Sequence, residues 1–266
     1  MTFSIVGRLG DALGIAVASK FLSFGAAVPA AAAGIGAIAT QAYANLNYRP
    51  QGLALLRTGV SAAGTVAGLT AADPQRAERQ LGVVATTGDG ATFTGDECHP
   101  WAGGVVGDGY AIQGNILVGP QVVEAMEAAW RAAQGPLAAR LLAALKAGDD
   151  AGGDRRGRQS AALLVVESGK GYGGTSDVAL DLRIDDHAAP VGELARLVRL
   201  HEFYFGRPDP ATLLALTDEL ADEIGDRVRR LGYADLTAWA GVENLEERVV
   251  PGHVDPLVLE HLRAAS

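Results

Sequence analysis

Residues 2–20 read TFSIVGRLGDALGIAVASK, and the fold turns on how this stretch pairs with itself. FSIV is aromatic and β-branched and predicts a strand. RLGD supplies a turn at Gly10 and Asp11, and LGIAVAS is a second apolar strand ending at Ser19 and Lys20. Two strands joined so closely form a hairpin, which returns Ser19 and Lys20 to the side of Thr2. Thr2 follows an initiator Met, and a small second residue favours removal of Met1. An N-terminal Thr then carries a hydroxyl that can attack a carbonyl and an α-amine that can take the proton. That amine has a reference pKa of about 7.7–8.0, so much of it is free base near neutral pH. A cation at Lys20 would stabilise developing negative charge and keep the amine deprotonated. The plainer alternative is an ordinary N-terminal hairpin.

The chain has 266 residues, enough for one large domain or one domain and a smaller one. Its net charge of -9 argues against nucleic acid or an anionic membrane surface as the main partner. A single cysteine, Cys98, excludes an internal disulfide framework and a thiolate-rich zinc site. Residues 12–39 are apolar enough to suggest a leader or a span. Asp11, Lys20 and Pro29 break the run, and Arg8 alone stands for a basic start, so buried strands are expected instead. This reading places the protein in the cytoplasm with no membrane span. A cleavage near residue 34 would mean export and would remove Thr2.

FLSFGAAVP and GIGAIATQAYA read as further strands. The Gly34-x-Gly36 pair lacks a third Gly and a following acidic residue, against a dinucleotide loop. Pro50 opens a helix, and Ser61 caps a second that Asp73-Pro74 stops. RQLGVVATT, the turn at Gly88-Asp89-Gly90 and ATFTG form a hairpin, and AGGVVGDGYAIQGNIL supplies another strand pair. Pro120 starts a helix, Gln134-Gly135-Pro136 breaks it, and LAARLLAALKAG follows as a second. GDDAGGDRRGR, residues 148–158, reads as a glycine-rich loop before two last strands, and residues 190–205 are helical. Helices thus come in pairs rather than singly between parallel strands, which disfavours a doubly wound sheet. The fold class is α+β: a four-layer αββα sandwich over residues 1–207, with a small helical appendage over 208–266 beyond Pro208 and Pro210.

An αββα sandwich opening on Thr after Met resembles the N-terminal-nucleophile (Ntn) hydrolases, among them proteasome β subunits and glycosylasparaginase-like amidases. MTFSIVGR, GIAVASKF, GIGAIATQAY, CHPWAGGVVGDGYAIQGNIL, GGDRRGRQSAAL and DLRIDDH together resemble the bacterial family catalogued as domain of unknown function 1028, regarded as Ntn-hydrolase-like. The tail, AWAGVENLEERVVPGHVDPLVLEHLR, resembles a segment classed as peptidoglycan-binding. The resemblance implies an amide or related acyl bond as substrate and Thr2 as nucleophile. Where proteasome-type members carry an acidic residue, this chain has Ser19-Lys20. A backbone N–H at Gln41 or Ala42 is the implied oxyanion donor.

Asn115, in QGNIL, could add a side-chain amide to that donor set, or simply bond its own backbone. The resemblance makes Asp154 and Arg156, with Gln159, the expected substrate-binding residues of the glycine-rich loop; an Arg there could clamp a carboxylate bidentately, and the three Args of DRRGR could bind phosphate. Arg155 and Arg158 read as solvated loop residues with a local ion pair. Asp186 is expected to fix backbone near the site. Cys98 beside His99 hints at a thiol nucleophile, but strand neighbours point to opposite faces, so packing is the expected role. Asp185-Asp186-His187 has no partner at ligand spacing, and no metal or other cofactor is expected. The sequence therefore predicts an Ntn-type amidohydrolase acting on a small-molecule amide, forming a homo-oligomer. The rival is a non-catalytic binding or scaffold protein of the same fold, possibly at the cell wall.

Overall fold

The structure, a computed structural model, describes residues 2–266. Thr2–Leu9 (β1) and Ala12–Ser19 (β2) pair antiparallel along their whole length, from Thr2 opposite Ser19 to Leu9 opposite Ala12. Gly10 makes the turn at a φ of +60°, a conformation that a Cβ would disfavour. Pro29–Ala32 (β3) and Gly36–Ala42 (β4) follow, then helices Tyr48–Arg57 (α1) and Ala62–Ala71 (α2). The hydroxyl of Ser61 accepts the Gly64 N–H and so caps α2. Arg79–Ala85 (β5), Gly90–Thr94 (β6), Gly103–Gly107 (β7) and Tyr110–Asn115 (β8) lead to Gln121–Ala132 (α3) and Leu137–Asp150 (α4). Ser160–Val166 (β9), Val178–Ile184 (β10) and Pro190–Phe205 (α5) complete this part.

Two local expectations need correction. Most of FLSFGAAVP is not strand: Ser23 sits at φ +52°, Phe24–Ala26 forms a 3₁₀ turn, and Gly25 lies where a Cβ would be 2.4 Å from that of Ala162. The loop expected from Gly148 begins three residues later, because α4 continues to Asp150. Gly148 stays helical since its bare Cα is packed under Met126 and Phe3.

All neighbouring strands are antiparallel, in a six-stranded sheet ordered β10-β9-β2-β1-β8-β7 and a four-stranded sheet ordered β3-β4-β5-β6. Strand alternation divides β1. Phe3 and Gly7 face α3 and α4, where Trp130 and Leu141 pack onto the bare Cα of Gly7. Thr2, Ser4 and Val6 face the second sheet. On that sheet's far side Ile38, Leu81 and Val83 pack with Tyr48, Leu56, Val66 and Leu69 of α1 and α2. The layers are therefore α3/α4, six strands, four strands, and α1/α2: the expected αββα sandwich.

The space between the sheets has two chemistries. Toward the Gly10 turn it is apolar, built by Val6, Leu13, Ile15, Val17, Ala37, Ala39 and Val84. Toward Thr2 it holds a buried amide network. Ser4 donates to Gln41 Oε1 (2.7 Å), Gln41 Nε2 donates to Gln80 Oε1 (2.8 Å), and Gln113 Nε2 donates to Ser4 Oγ (2.7 Å). Gln80 in turn donates to the Gly114 carbonyl (2.7 Å). Gly82 makes room for Gln113, since a Cβ there would lie 2.0 Å from its Oε1. Leaving one such group without a partner costs about 1–3 kcal/mol, so the network fixes the register of β1, β4, β5 and β8 against slippage.

The chain divides into compact units at Met1–Leu197 and Val198–Ser266, inside α5, rather than at the expected 207/208. The reason is Arg248, whose Nε and Nη2 donate to the carbonyls of Phe203 (2.6 Å) and Glu202 (2.5 Å) and so bind the end of α5 into the second unit. That unit contains Leu214–Ala215 (β11), Asp218–Arg230 (α6), Leu236–Val242 (α7), His253–Val254 (β12) and Pro256–Ala265 (α8). Ile224, Val228, Trp239, Leu245, Val258 and Leu262 form its core. Among the described residues no helix is long and apolar enough to cross a membrane.

Candidate active site

Register alone assembles the site. Thr2 lies opposite Ser19 on one side and Asn115 on the other, and Ser19 lies opposite Ser160. Four residues able to hydrogen-bond thus form a row across β9, β2, β1 and β8 at one end of the sandwich. Thr2 is fully buried, and its Oγ donates to Ser19 Oγ at 3.2 Å. Its carbonyl accepts from Gln41 Nε2 at 3.3 Å. Ser160 Oγ accepts the Phe24 N–H (3.3 Å), which anchors the loop after Lys20.

Lys20 follows Ser19 and is half-buried, and its ammonium makes no hydrogen bond or ion pair with the described residues. The hydroxyl partner of Thr2 is therefore Ser19, not Lys20. The backbone N–H of Lys20 donates to Asp154 Oδ2 at 2.9 Å. Asp154 also accepts from Arg156 N (2.9 Å), Arg156 Nε (3.1 Å) and Arg156 Nη2 (2.8 Å). A buried carboxylate so saturated has little left for a substrate. This corrects the expectation for Asp154, which instead clamps its own loop to the strand end behind Lys20. The Arg156 side chain is 30% exposed, and its loop neighbours Arg155 and Arg158 are exposed as well.

Gln159 donates to Asp186 Oδ1 at 3.0 Å, and its backbone bonds to Ser19 O and His187 N. The two expected positions thus meet at the rim of the site. Arg158 pairs with Asp149 (2.7 Å), which ties the loop to the end of α4.

Gln41 lies within β4, opposite Gln80, and its side chain belongs to the inter-sheet network. Asn115 likewise gives an amide N–H to Gln80 Oε1 at 2.8 Å. The residues that follow them, Ala42 at φ +67° and Ile116 at φ +50°, are both in the left-handed region although neither is glycine. Such conformations cost on the order of 1–3 kcal/mol and collect at functional sites. Thr40 N–H bonds to Val28 O on the β3 side. Alternation therefore turns the Ala42 N–H to that same side, past the first residue of β3.

A second polar cluster, missed in the sequence, supports this turn. Asp73 accepts from Tyr48 Oη (2.8 Å), Arg79 Nε (2.9 Å), Gln75 N (2.9 Å) and Asn45 Nδ2 (3.1 Å). Arg79 Nη1 donates to the carbonyl of Tyr43, next to Ala42, at 2.5 Å. Burial pushes the Asp73 carboxyl up, but Arg79, Asn45, the Gln75 N–H and Tyr48 together outweigh it and hold it well below the ordinary range. A depressed carboxylate contributes stability above its unfolded pKa, and loses it as pH falls toward the folded value. The stability gap between the wild type and Asp73→Asn is expected to be constant above about pH 5 and to narrow as pH falls below about 4. Urea midpoints measured between those conditions and pH 3 check this.

Cys98 does not pair with His99. Its Sγ donates to Arg79 O (3.4 Å), burial pushes its thiol up, and the His99 ring lies instead against Tyr43, with centroids 6.2 Å apart. His187 Nδ1 accepts the Ala189 N–H, and no metal-binding cluster occurs among the described residues.

The fold and this constellation define a class: an αββα sandwich whose central strand begins on a hydroxyl residue facing the second sheet. The chain belongs to the family described as "Family of unknown function (DUF1028)", whose model matches residues 2–194. Residues 204–262 match a family described as "Putative peptidoglycan binding domain". The crystal structure of SPO2555 from Silicibacter pomeroyi, a DUF1028 protein, is similar at 32% identity and a TM-score of 0.69, over 76% of this chain and 89% of that one. No curated protein matches the chain.

Proposed function

We propose that the protein is an Ntn-type amidohydrolase in which Thr2 attacks the carbonyl of a small-molecule amide. The observation that carries this reading is the place of Thr2, heading the central strand on the inter-sheet face with its Oγ 3.2 Å from Ser19 Oγ. The reading requires cleavage of the peptide bond before Thr2, which would free its α-amine. That amine takes the proton as Oγ bonds to the carbonyl carbon, and the tetrahedral intermediate collapses as the proton passes to the departing amine. Water activated by the same α-amine then hydrolyses the Thr2 ester, returning the acid and the free hydroxyl. The Ala42 N–H and the second amide hydrogen of Asn115 are the candidate oxyanion donors. Lys20 and Arg156, on the same rim, supply positive charge for an anionic part of the substrate. Sequencing the N-terminus of purified, amide-hydrolysing protein tests the requirement. Thr-Phe-Ser-Ile is expected, and an active chain that keeps the residue before Thr2 would overturn the mechanism.

The match over residues 204–262 supports a second reading, in which the C-terminal unit is a binding module for wall-derived glycan or peptide.

A further inference from the structure

At the far end of β1 from Thr2 lies a groove of about 510 Å³ between the β7–β8 turn and the α3–α4 connection. It is five residues along the strand from Thr2, roughly 17 Å, and on the opposite face of the sheet, so it is independent of the proposed chemistry.

The walls are two aromatic rings seated on glycines. A Cβ at Gly107 would lie 2.3 Å from the Tyr110 ring, and a Cβ at Gly7 would lie 2.7 Å from Trp130 Cη2. Because the six-membered ring of Trp130 is held against β1, its pyrrole edge turns outward. That indole N–H has no partner among the described residues and is not a buried orphan. The rings lie 5.9 Å apart and tilted, and with each residue 6% exposed only their edges reach the groove.

Charged groups of both signs converge on that wall. Arg131 makes no hydrogen bond or ion pair with the described residues, and Arg140 bonds only through Nε to the Gly135 carbonyl (3.2 Å). Their outer nitrogens are therefore available to a carboxylate. Glu127 accepts the Tyr110 hydroxyl through Oε1 at 2.5 Å, which leaves its other oxygen to face a cation, and Asp108 lines the rim with its Oδ1 toward Gly88. Two cations and two acids make the lining neutral in sum, which disfavours a polyanion and favours a ligand that carries both charges.

We propose that this groove binds a small zwitterion of the amino-acid type, such as a dipeptide, with its carboxylate on Arg131 and Arg140, its ammonium on Glu127, and its side chain against the outer edge of Trp130. The probe is glycyl-phenylalanine, titrated into the full ¹⁵N-labelled chain and followed at the Trp130 indole N–H and the Gly107 and Gly109 amides. A saturable shift is expected. Glycyl-phenylalanine amide and N-acetyl-glycyl-phenylalanine each lack one charge and should bind roughly tenfold or more weakly. The R131Q/R140Q chain should lose affinity for the parent dipeptide by a similar factor, with unchanged signals from the rest of the fold. Absence of a saturable shift, equal binding of the two modified dipeptides, or indifference to the double substitution would each overturn the proposal.

Discussion

Thr2→Ala is expected to abolish amide hydrolysis, lowering kcat by about four to six orders of magnitude, while the chain stays folded. The fold should tolerate the change because it removes one hydroxyl bonded to Ser19, worth about 1 kcal/mol, and leaves the carbonyl that Gln41 contacts. The rate should not tolerate it, because hydroxyl and base belong to one residue and no other side chain can replace both. Thr2→Ser keeps both groups and should retain most of the activity. Acetylating the α-amine keeps the hydroxyl but removes the base, and should be nearly as damaging as Thr2→Ala. In the active enzyme kcat/KM should rise with pH as the amine loses its proton, below its ordinary value of about 7.7–8.0, because burial and the Lys20 cation both disfavour the charged amine. Turnover of an amide panel, with unfolding curves for each variant, separates these outcomes. Hydrolysis that survives in Thr2→Ala would assign the chemistry elsewhere and leave Thr2 as one more buried strand residue.

What the sequence disclosed about this site, and what it concealed, follows from the range of the interactions. The hairpin that sets Ser19 beside Thr2 is local: a Gly-Asp turn between two apolar runs fixes its register. Helix pairing was legible through caps and breakers such as Ser61 and Pro136. The inter-sheet network was not, because its members are distant. Gln41 and Gln80 are 39 residues apart, and Ser4 and Gln113 are 109 apart. Their signal was a glutamine at the inward phase of an otherwise apolar strand, repeated in β4, β5 and β8. Read singly, each is an isolated polar residue in an apolar strand. Together they show that the polarity near Thr2 is largely architectural. Asp154 misled in the same manner: a glycine-rich loop pointed to binding, but the carboxylate turned inward to hold the backbone of Lys20.

The domain boundary has the same origin, and it leads to the second large effect. Arg248 and Asp255 are both buried, 3% exposed each, and Nη1 meets Oδ2 at 2.5 Å. Arg248 also ties down the end of α5 through two carbonyls, while Asp255 Oδ1 caps α8 by accepting the Leu257 N–H at 2.9 Å. Asp255→Ala removes the cap and leaves a buried guanidinium with two carbonyls and only the largely exposed Glu202 carboxylate, 3.9 Å away, as counter-charge. Breaking a buried pair in this way costs about 3–5 kcal/mol, with roughly 1 kcal/mol more for the cap. A unit as small as residues 198–266 has little more than that in total, since small domains hold only about 5–15 kcal/mol. The variant is therefore expected to unfold this unit at room temperature while residues 2–197 keep their structure. Limited proteolysis should trim the chain back to near residue 200, and amide exchange should lose protection in α6, α7 and α8 only. Replacing both partners with apolar residues, Arg248→Met with Asp255→Leu, removes the stranded charge and should restore much of the loss. A single variant that unfolds like the wild type would mean that the Glu202 carboxylate and the carbonyls of Glu202 and Phe203 suffice to hold Arg248.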